Sequence, residues 1–294
     1  MKLSIILLNY NKPDLTSECV ASVYKIHAKE FIENEIEIII VDNKSTDNSL
    51  ALLKKEIAEK KYKNVLLVPN SSNAGFGAGN NFGVKKAKGE YVVFLNNDTI
   101  VKDDGLTKML AYMETHDKVG ILGGQLKNTD GTLQASVGSF YTLPRVLMLL
   151  LGFQKYGLLD RSPSTIEAID WVKGGLLMMQ KAAFEKIGGF DENIFMYTED
   201  MELCYRAKKH GFTSFFYPFV EVLHKEHGST NRTFAIVHIY SGLKYFYKKY
   251  MSKTEQNMLQ LLLTTKALLL IDIGKLTNNE YLRTTYEQAL AAIR

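Results

Sequence analysis

Four short apolar runs, separated by stretches of helical spacing, constrain the fold of this 294-residue chain more than any other feature. The runs cover residues 3–8, 37–41, 65–68 and 91–95. They are almost uninterrupted rather than alternating, which is typical of strands buried on both faces of a parallel sheet. Helical segments such as residues 13–27 lie between them and would cover that sheet. The sequence therefore predicts an α/β fold, Rossmann-like, with a mostly parallel central sheet flanked by helices.

The second half of the chain carries less regular signals. Strands are predicted at residues 176–180 and 220–224, and a helix from residue 199 to about residue 210. From residue 233 onward the spacing of apolar residues is helical. We therefore predict two parts, a domain over residues 1–232 and a C-terminal helical extension over residues 233–294.

Composition and charge exclude several classes of protein. A chain with 46% hydrophobic and 23% charged residues is neither disordered nor fibrous. Cys19 and Cys204, its two cysteines, are too far apart for a disulfide framework or a Cys-rich zinc site, which indicates a reducing, cytoplasmic location. The net charge of +4 is small for a nucleic-acid-binding protein, so no nucleic-acid partner is expected. We predict neither a signal peptide nor a spanning helix, which would need about 20 mostly apolar residues.

Polar residues follow three of the four apolar runs, at the point where each predicted strand ends. Ligands of parallel α/β sheets bind outside the carboxyl ends of the strands, so these side chains are expected to share one site. The residues at the three strand ends are Asn9 and Tyr10, then Asp42 and Asn43, then Asn96, Asn97 and Asp98.

Two of these carboxylates have both a functional and a structural interpretation. Asp98 is suited to bind a divalent cation that neutralises a diphosphate, and equally suited to an ordinary polar turn. Asp42 is suited to accept hydrogen bonds from a sugar hydroxyl or a nucleotide base. It is also suited to cap the following helix, a role that Ser45 or Asp47 would fill as well.

A glycine-rich segment follows the third strand and leads into a helix. Gly75, Gly77 and Gly79 do not match the spacing of a dinucleotide-binding turn, because the third glycine of that pattern would fall at Asn80. We therefore predict a tight backbone turn that packs near a ligand.

Two further clusters carry titratable side chains. Glu199 and Asp200 begin a predicted helix, where the helix dipole favours the anion, so such a carboxylate would remain ionised at pH 7 and accept a proton from a hydroxyl. Arg206, two turns on, would pair with Glu199 or Asp200. A capped surface helix is the alternative. His224 ends a strand and is a candidate metal ligand, with His227 three residues later, although a lone histidine is more often structural.

The C-terminal extension and one apolar segment are candidates for a membrane surface. Residues 240–253 mix tyrosine and phenylalanine with lysine, and residues 146–151 are continuously apolar. Helices that combine aromatic rings and lysines suit the level of lipid headgroups. The alternative is a helix packed on the domain with a solvated basic face.

Taken together, these residues resemble glycosyltransferase family 2, the inverting nucleotide-sugar transferases of GT-A fold, and within it the bacterial rhamnosyltransferase-like branch. The resemblance covers about residues 1–230 in the right order. The matching segments are 8–11, 41–47, 73–80, 95–98, 188–192, 197–200 with Arg206, and His224 with Gly228 and Ser229. Each segment alone is weak evidence for this family, whereas seven segments in the same order are specific evidence.

The resemblance implies a role for each segment. The nucleotide-sugar site would comprise Asn9, Tyr10, Asp42, Asn43, Asn73, Gly75, Phe76, Asn80, Asn96, Asn97 and Asp98, with Asp42 on the base or ribose. Asp98 and His224 would bind Mg²⁺ or Mn²⁺ on the donor diphosphate. Asp200 would be the general base for the acceptor hydroxyl, with Glu199 orienting the acceptor or the base. Trp171, Gly174, Gly175 and Arg206 would border the sugar and acceptor pocket.

The resemblance thus implies an inverting transferase that moves rhamnose from dTDP-rhamnose to a cell-surface glycan or lipid-linked acceptor. Such an enzyme would lie peripherally on the inner face of the cell membrane, and a homodimer is compatible with it. One position departs from the family: its Asp-x-Asp triplet begins here with Asn96, which gives the metal one carboxylate fewer.

Two alternatives stay open at this point. A sugar nucleotidyltransferase would need a glycine- and arginine-rich loop after the first strand, and residues 9–13 do not form one. A non-catalytic glycan-binding or scaffold protein would have no need of Asp98, Asp200 and His224 together.

Overall fold

The structure, a computed structural model, describes residues 1–153, 159–225 and 232–294. Its strands are β1 (Leu3–Asn9), β2 (Ile36–Asp42), β3 (Val65–Pro69), β4 (Tyr91–Leu95), β5 (Thr99–Val101), β6 (Val119–Lys127), β7 (Leu133–Gln134), β8 (Val137–Gly138), β9 (Asp160–Arg161), β10 (Glu167–Ile169), β11 (Trp171–Val172), β12 (Leu176–Gln180) and β13 (Thr213–His224). Its helices are α1 (Pro13–Ile26), α2 (Ala28–Ile32), α3 (Ser49–Lys60), α4 (Phe76–Val84), α5 (Gly105–Glu114), α6 (Leu143–Leu150), α7 (Lys181–Lys186), α8 (Glu199–Lys209), α9 (Arg232–Tyr250), α10 (Lys253–Leu276) and α11 (Glu280–Ala292).

The central sheet has the strand order β10-β13-β6-β12-β4-β1-β2-β3. Strands β3, β2, β1 and β4 are parallel, as the four apolar runs predict. Strand β12 enters antiparallel between β4 and β6, and β13 runs parallel to β6. The sheet is therefore parallel across its first half and mixed beyond β4. A second sheet of three short strands has the order β11-β8-β9.

Both faces of the central sheet are buried, which is why its strands lack polar alternation. Along β1, Leu3, Ile5 and Leu7 face an apolar cluster that includes residues of α1, α3 and α5. Ile6 faces the opposite cluster, to which α4, α7 and the C-terminal helices contribute. Because successive side chains of a strand point to opposite faces, two buried faces require apolar residues at every position.

The predicted C-terminal extension is helical and packs on the rest of the molecule. Tyr240, Phe246 and Tyr247 of α9 are buried in the core, so these rings do not form the membrane-facing surface predicted for residues 240–253. The alternative, a helix packed on the domain, is what the structure shows for α9. Within the described ranges, no helix is long and apolar enough to cross a membrane. The division between residues 232 and 233 stays a prediction.

Candidate active site

The ends of β1 and β2 meet at Asp42. The parallel register aligns Asn9 with Asp42, and Asn9 Nδ2 donates to Asp42 Oδ1 at 2.9 Å. Ser45 donates to the same carboxylate through Oγ at 2.6 Å and through its backbone N–H at 3.1 Å. Ser49 N, at the start of α3, donates to Asp47 instead. The Asp42 carboxylate is therefore fixed at the sheet edge, and the contact to the following helix belongs to Asp47.

The glycine-rich segment forms a tight turn at the start of α4, as predicted. Gly75 has φ +98°, and a Cβ atom there would overlap the carbonyl oxygen of Phe195. That oxygen accepts the backbone N–H of Phe76 at 2.9 Å. Asn43 Nδ2 donates to Asn73 Oδ1 at 2.9 Å and to the Gly75 carbonyl at 3.3 Å. This turn therefore lies against the end of β2, next to Asp42.

Three more predicted residues lie around this edge with different exposure. Tyr10 follows β1 and is exposed, whereas Asn80 is buried and donates to the Phe76 carbonyl at 3.0 Å. Asn97 Nδ2 donates to Thr16 Oγ1 at 2.8 Å, and Thr16 Oγ1 donates to Asn9 Oδ1 at 2.8 Å. Thr16 thus joins the ends of β1 and β4. Sequence reasoning missed it, because one threonine inside a helical pattern gives no signal.

Asp98 and His224 lie side by side although they are far apart in sequence. The antiparallel pairing of β5 with β13 aligns Thr99 with His224, which places His224 Nε2 3.1 Å from Asp98 Oδ1. Asn96 Nδ2 lies 3.3 Å from the same nitrogen. The described part of the chain contains no group of three or more His, Cys, Asp or Glu side chains that would enclose a metal ion. His227, Gly228 and Ser229 lie outside the described residues.

The two side chains fit a divalent cation that is only partly coordinated by protein. Neighbouring ligands of an octahedral ion with bonds of about 2.1 Å are about 3 Å apart, and Asp98 Oδ1 and His224 Nε2 are 3.1 Å apart. Mg²⁺ is commonly bound by one or two protein ligands, with water and substrate phosphate oxygens in the other positions. The donor set therefore fits an ion shared with a diphosphate.

Asp200 is partly buried beside the end of β4. Gly174 N donates to its Oδ2 at 3.0 Å and Met201 N to its Oδ1 at 2.7 Å. Gly175, which follows Gly174, accepts the backbone N–H of Asn96 at 3.1 Å, which ties the Asp200 carboxylate to the part of the edge that carries Asn96. Burial raises the pKa of Asp200 above the usual aspartate range, while the two N–H groups favour the charged form.

Glu199 differs from the ionised carboxylate that its helix position predicts. Its side chain is almost fully buried, and among the described residues its Oε2 has no hydrogen-bond partner. Burial, together with the nearby Asp200 charge, raises the pKa of Glu199 well above the usual glutamate range. Desolvation therefore outweighs the helix dipole here.

The predicted pairing of Arg206 with Glu199 or Asp200 is wrong. Its guanidinium group binds Glu202, one turn earlier in α8, through Nε at 2.9 Å and Nη2 at 2.7 Å. Glu202 is fully buried and also accepts hydrogen bonds from Lys249 at 2.9 Å and from Tyr250 at 2.5 Å. Arg206 therefore belongs to an ion network between α8 and α9, rather than to the border of the pocket.

The other residues predicted at the pocket have clear positions. Trp171 is buried, with its ring packed over Gly138. A Cβ atom on Gly174 would lie 3.4 Å from the Phe76 ring and 3.6 Å from Asp200 Cβ. Gly174 therefore lies between the glycine-rich turn and Asp200, so that residues spread from Asp42 to His224 line one edge of the sheet.

Two protein-family models match this chain. The model described as glycosyl transferase family 2 matches residues 4–185, which is more than half of the chain. The model described as the N-terminal domain of galactosyltransferase matches residues 168–232.

Curated relatives include two rhamnosyltransferases. The N-acetylglucosaminyl-diphospho-decaprenol L-rhamnosyltransferase of Mycobacterium tuberculosis is 28% identical over 219 residues, covering 68% of this chain and 70% of the relative. Rhamnosyltransferase WbbL of Escherichia coli is 26% identical over 248 residues, covering 78% of this chain and 91% of the relative.

Three solved structures with the same fold illustrate the likeness. The mannosyltransferase PcManGT of Pyrobaculum calidifontis, in complex with GDP-Man and Mn²⁺, has a TM-score of 0.60 at 14% identity, covering 99% of this chain and 85% of that one. GalNAc-T7 with UDP, GalNAc and Mn²⁺ has a TM-score of 0.60 at 18% identity, covering 84% of this chain and 50% of that one. S. aureus TarS 1-349 has a TM-score of 0.54 at 16% identity, covering 100% of this chain and 89% of that one. The fold is therefore GT-A, and the chain belongs to glycosyl transferase family 2.

Proposed function

We propose that this glycosyltransferase moves a sugar from a nucleotide-diphosphate donor to a hydroxyl of a glycan or lipid-linked acceptor, with inversion, and that the donor is dTDP-rhamnose. The observation that carries the mechanism is the partly buried carboxylate of Asp200 on the same sheet edge as Asp42 and the Asp98–His224 pair. A base and a charge-neutralising centre are the two elements that displacement of a diphosphate by an alcohol requires.

The donor nucleotide is proposed to bind at the ends of β1 and β2. Asp42, oriented by Asn9 and Ser45, would accept hydrogen bonds from the base or ribose. Asn43, Asn73 and the Gly75–Phe76 turn would lie along the nucleotide, because their hydrogen bonds already join this turn to β2. The polar neighbours Tyr10, Asn80, Asn96 and Asn97 complete the proposed nucleotide-sugar site.

Asp98 and His224 are the residues proposed to bind Mg²⁺ or Mn²⁺. When bound, the ion would neutralise charge on the donor diphosphate. Asn96 stands where the family triplet usually has an aspartate, and a site with one carboxylate fewer is expected to bind the cation more weakly.

Asp200 is proposed as the general base. It would take the proton of the acceptor hydroxyl while that oxygen bonds to the anomeric carbon and the nucleoside diphosphate leaves. A raised pKa suits this role, because a base works best when its pKa approaches the operating pH. Glu199 would orient the acceptor or the base, and Trp171, Gly174 and Gly175 would border the acceptor pocket.

The proposal that the donor sugar is rhamnose rests on the names of relatives rather than on a contact in the structure. Two relatives are named rhamnosyltransferases, and the name of one includes a diphospho-decaprenol acceptor. A thermal-shift comparison of dTDP, UDP and GDP, each with and without Mn²⁺, tests the nucleotide, since a ligand that binds only the native state raises its melting temperature. We expect the largest shift with dTDP and Mn²⁺. A larger shift with UDP or GDP would contradict the proposed donor.

A membrane-bound acceptor would require the enzyme to approach the bilayer, and we propose that the outer face of α10 contacts it. Five apolar side chains on this helix are exposed: Met258, Leu261, Leu268, Leu269 and Leu276. Residues 232–294 also contain nine lysines and arginines against four acidic residues. An apolar face on a basic segment is suited to an anionic lipid surface.

The decisive experiment for the mechanism is Asp200→Asn. Loss of a general base typically slows catalysis by about 10²–10⁴-fold. The rate of sugar transfer should therefore fall by a factor in that range, with nucleotide binding unchanged. The matched control is Asp170→Asn, because Asp170 is a partly buried aspartate paired with Arg145 outside the site. Normal turnover by the Asp200 variant would show that the base is another residue.

A further inference from the structure

A buried amide contacts the second ring nitrogen of His224. Gln134, at the end of β7, lies with its Oε1 2.9 Å from His224 Nδ1. Its Nε2 donates to the backbone carbonyl of His224 at 3.0 Å and to Asn128 Oδ1 at 2.7 Å. One side chain therefore contacts both the ring and the backbone of a proposed metal ligand, 90 positions away in sequence.

These contacts fix the orientation of the amide and, through it, place a hydrogen on Nδ1 of the histidine. The His224 carbonyl can only accept, so the amide nitrogen must face it and Oε1 must face the ring. Nδ1 of His224 then carries the hydrogen, and in the neutral ring the lone pair is on Nε2. That nitrogen is the one 3.1 Å from Asp98 Oδ1.

Gln134 is itself held rigidly. Its backbone pairs with Leu126 of β6, and its carbonyl accepts hydrogen bonds from Gln125 Nε2 at 3.0 Å, Ser136 Oγ at 2.9 Å and Ser162 Oγ at 2.6 Å. Its side chain is buried. Since the backbone is anchored on both sides and the amide is fully engaged, the side chain has little freedom to release the ring.

We propose that Gln134 is a positioning residue, which keeps His224 in the Nδ1–H tautomer and leaves Nε2 free for the cation at Asp98. The part that concerns the cation rests on the proposed function, whereas the tautomer does not. A histidine that binds a metal usually donates its other N–H to a carboxylate, carbonyl or amide oxygen, which sets ring orientation and strengthens the metal bond. Nothing in the sequence pattern separates Gln134 from an ordinary strand residue.

The test compares the 294-residue chain with Gln134→Met and with the control Gln256→Met. Gln256 is a partly buried glutamine on α10 whose Nε2 also donates to a backbone carbonyl, that of Met251, at 2.9 Å. The first readout is the His224 tautomer in metal-free protein, measured by long-range ¹H–¹⁵N NMR and assigned with His224→Ala. The second is the affinity for Mn²⁺ alone, measured by EPR.

We expect a hydrogen on Nδ1 of His224 in the wild type and in Gln256→Met, and its loss in Gln134→Met. Mn²⁺ affinity should fall by about 10–100-fold in Gln134→Met and stay unchanged in the control. In a His224→Ala background, Gln134→Met should have no further effect on Mn²⁺ affinity. A wild-type ring without a hydrogen on Nδ1, or equal Mn²⁺ affinity in the wild type and Gln134→Met, would overturn the proposal. A wild type that binds no Mn²⁺ would contradict the metal in the proposed function, and the NMR result would then decide the role of Gln134 separately.

Discussion

Glu199 and Asp200 are neighbours in the chain, and packing gives them different surroundings. The sequence could place both at the start of a helix, and it could place Asp42 and Asp98 at strand ends. It could not show that α8 begins inside the core, because burial depends on β11, β13 and α9 packing around it. Desolvation therefore raises the pKa of both carboxyl groups, where the helix dipole alone predicts anions.

The buried Glu199 carboxyl predicts a pH-dependent gain in stability on neutral substitution. Its pKa is raised in the folded state, so folding retains a proton that the unfolded chain releases, and stability falls as pH rises above about 4.3. Glu199→Gln removes this titration. We expect the free energy of unfolding to rise by about 1–3 kcal/mol near pH 8 and to change little near pH 4, in urea titrations.

The exposed Glu287 provides the control for that measurement. Glu287→Gln should leave the free energy of unfolding unchanged at both pH values. Destabilisation of Glu199→Gln near pH 8 would show that the Glu199 carboxylate has a stabilising partner when ionised.

At the scale of elements, local patterns were sufficient for β1 to β4, and long-range pairing decided the rest. The predicted strand at 220–224 is only the end of β13, which begins at Thr213. Pro218 lies in its middle, where a proline normally argues against a strand. A register shift between Tyr217 and Val222 accommodates it. The antiparallel entry of β12 has no local signal, since it depends on two partners distant in sequence.

The turn before α4 predicts a difference between two glycines that both have a positive φ. Gly75 has φ +98° and Gly131 has φ +85°, but a Cβ atom would overlap Phe195 only at Gly75 and would meet open space at Gly131. Gly131→Ala should cost about 1–2 kcal/mol, the usual penalty for a left-handed residue. Gly75→Ala should cost more and should also weaken nucleotide binding, because the Gly75 carbonyl accepts from Asn43.

Urea unfolding of both glycine variants measures the loss of stability. The thermal shift with dTDP measures the effect on nucleotide binding. Equal losses of stability would mean that the Phe195 segment moves away at little cost. Unchanged nucleotide binding in Gly75→Ala would separate this turn from the nucleotide site.

At the scale of the whole molecule, the C-terminal helices are joined to the helix that carries Asp200. Lys249 of α9 forms ion pairs with Asp191 at 2.6 Å and with Glu202 at 2.9 Å, and Glu202 also binds Arg206. These partners lie more than 40 positions from Lys249, so no spacing rule could predict them. Among the α9 residues that suggested a membrane surface, Tyr240 and Tyr247 are buried in the core, and Tyr245, Lys249 and Tyr250 bind Asp191 or Glu202.

The exposed apolar face of α10 makes membrane contact testable with matched leucines. Leu261 and Leu269 are 66% and 58% exposed on α10, whereas Leu66 is 46% exposed on β3. We expect the protein to float with phosphatidylglycerol vesicles in a density gradient, and less so at high salt, because screening weakens attraction to anionic lipid. Leu261→Glu with Leu269→Glu should abolish flotation, since charges on the inserted face oppose burial, and Leu66→Glu should leave it intact. If the wild type does not float but sediments as a dimer that the double variant dissociates, the α10 face is an interface between two copies and the membrane assignment is wrong.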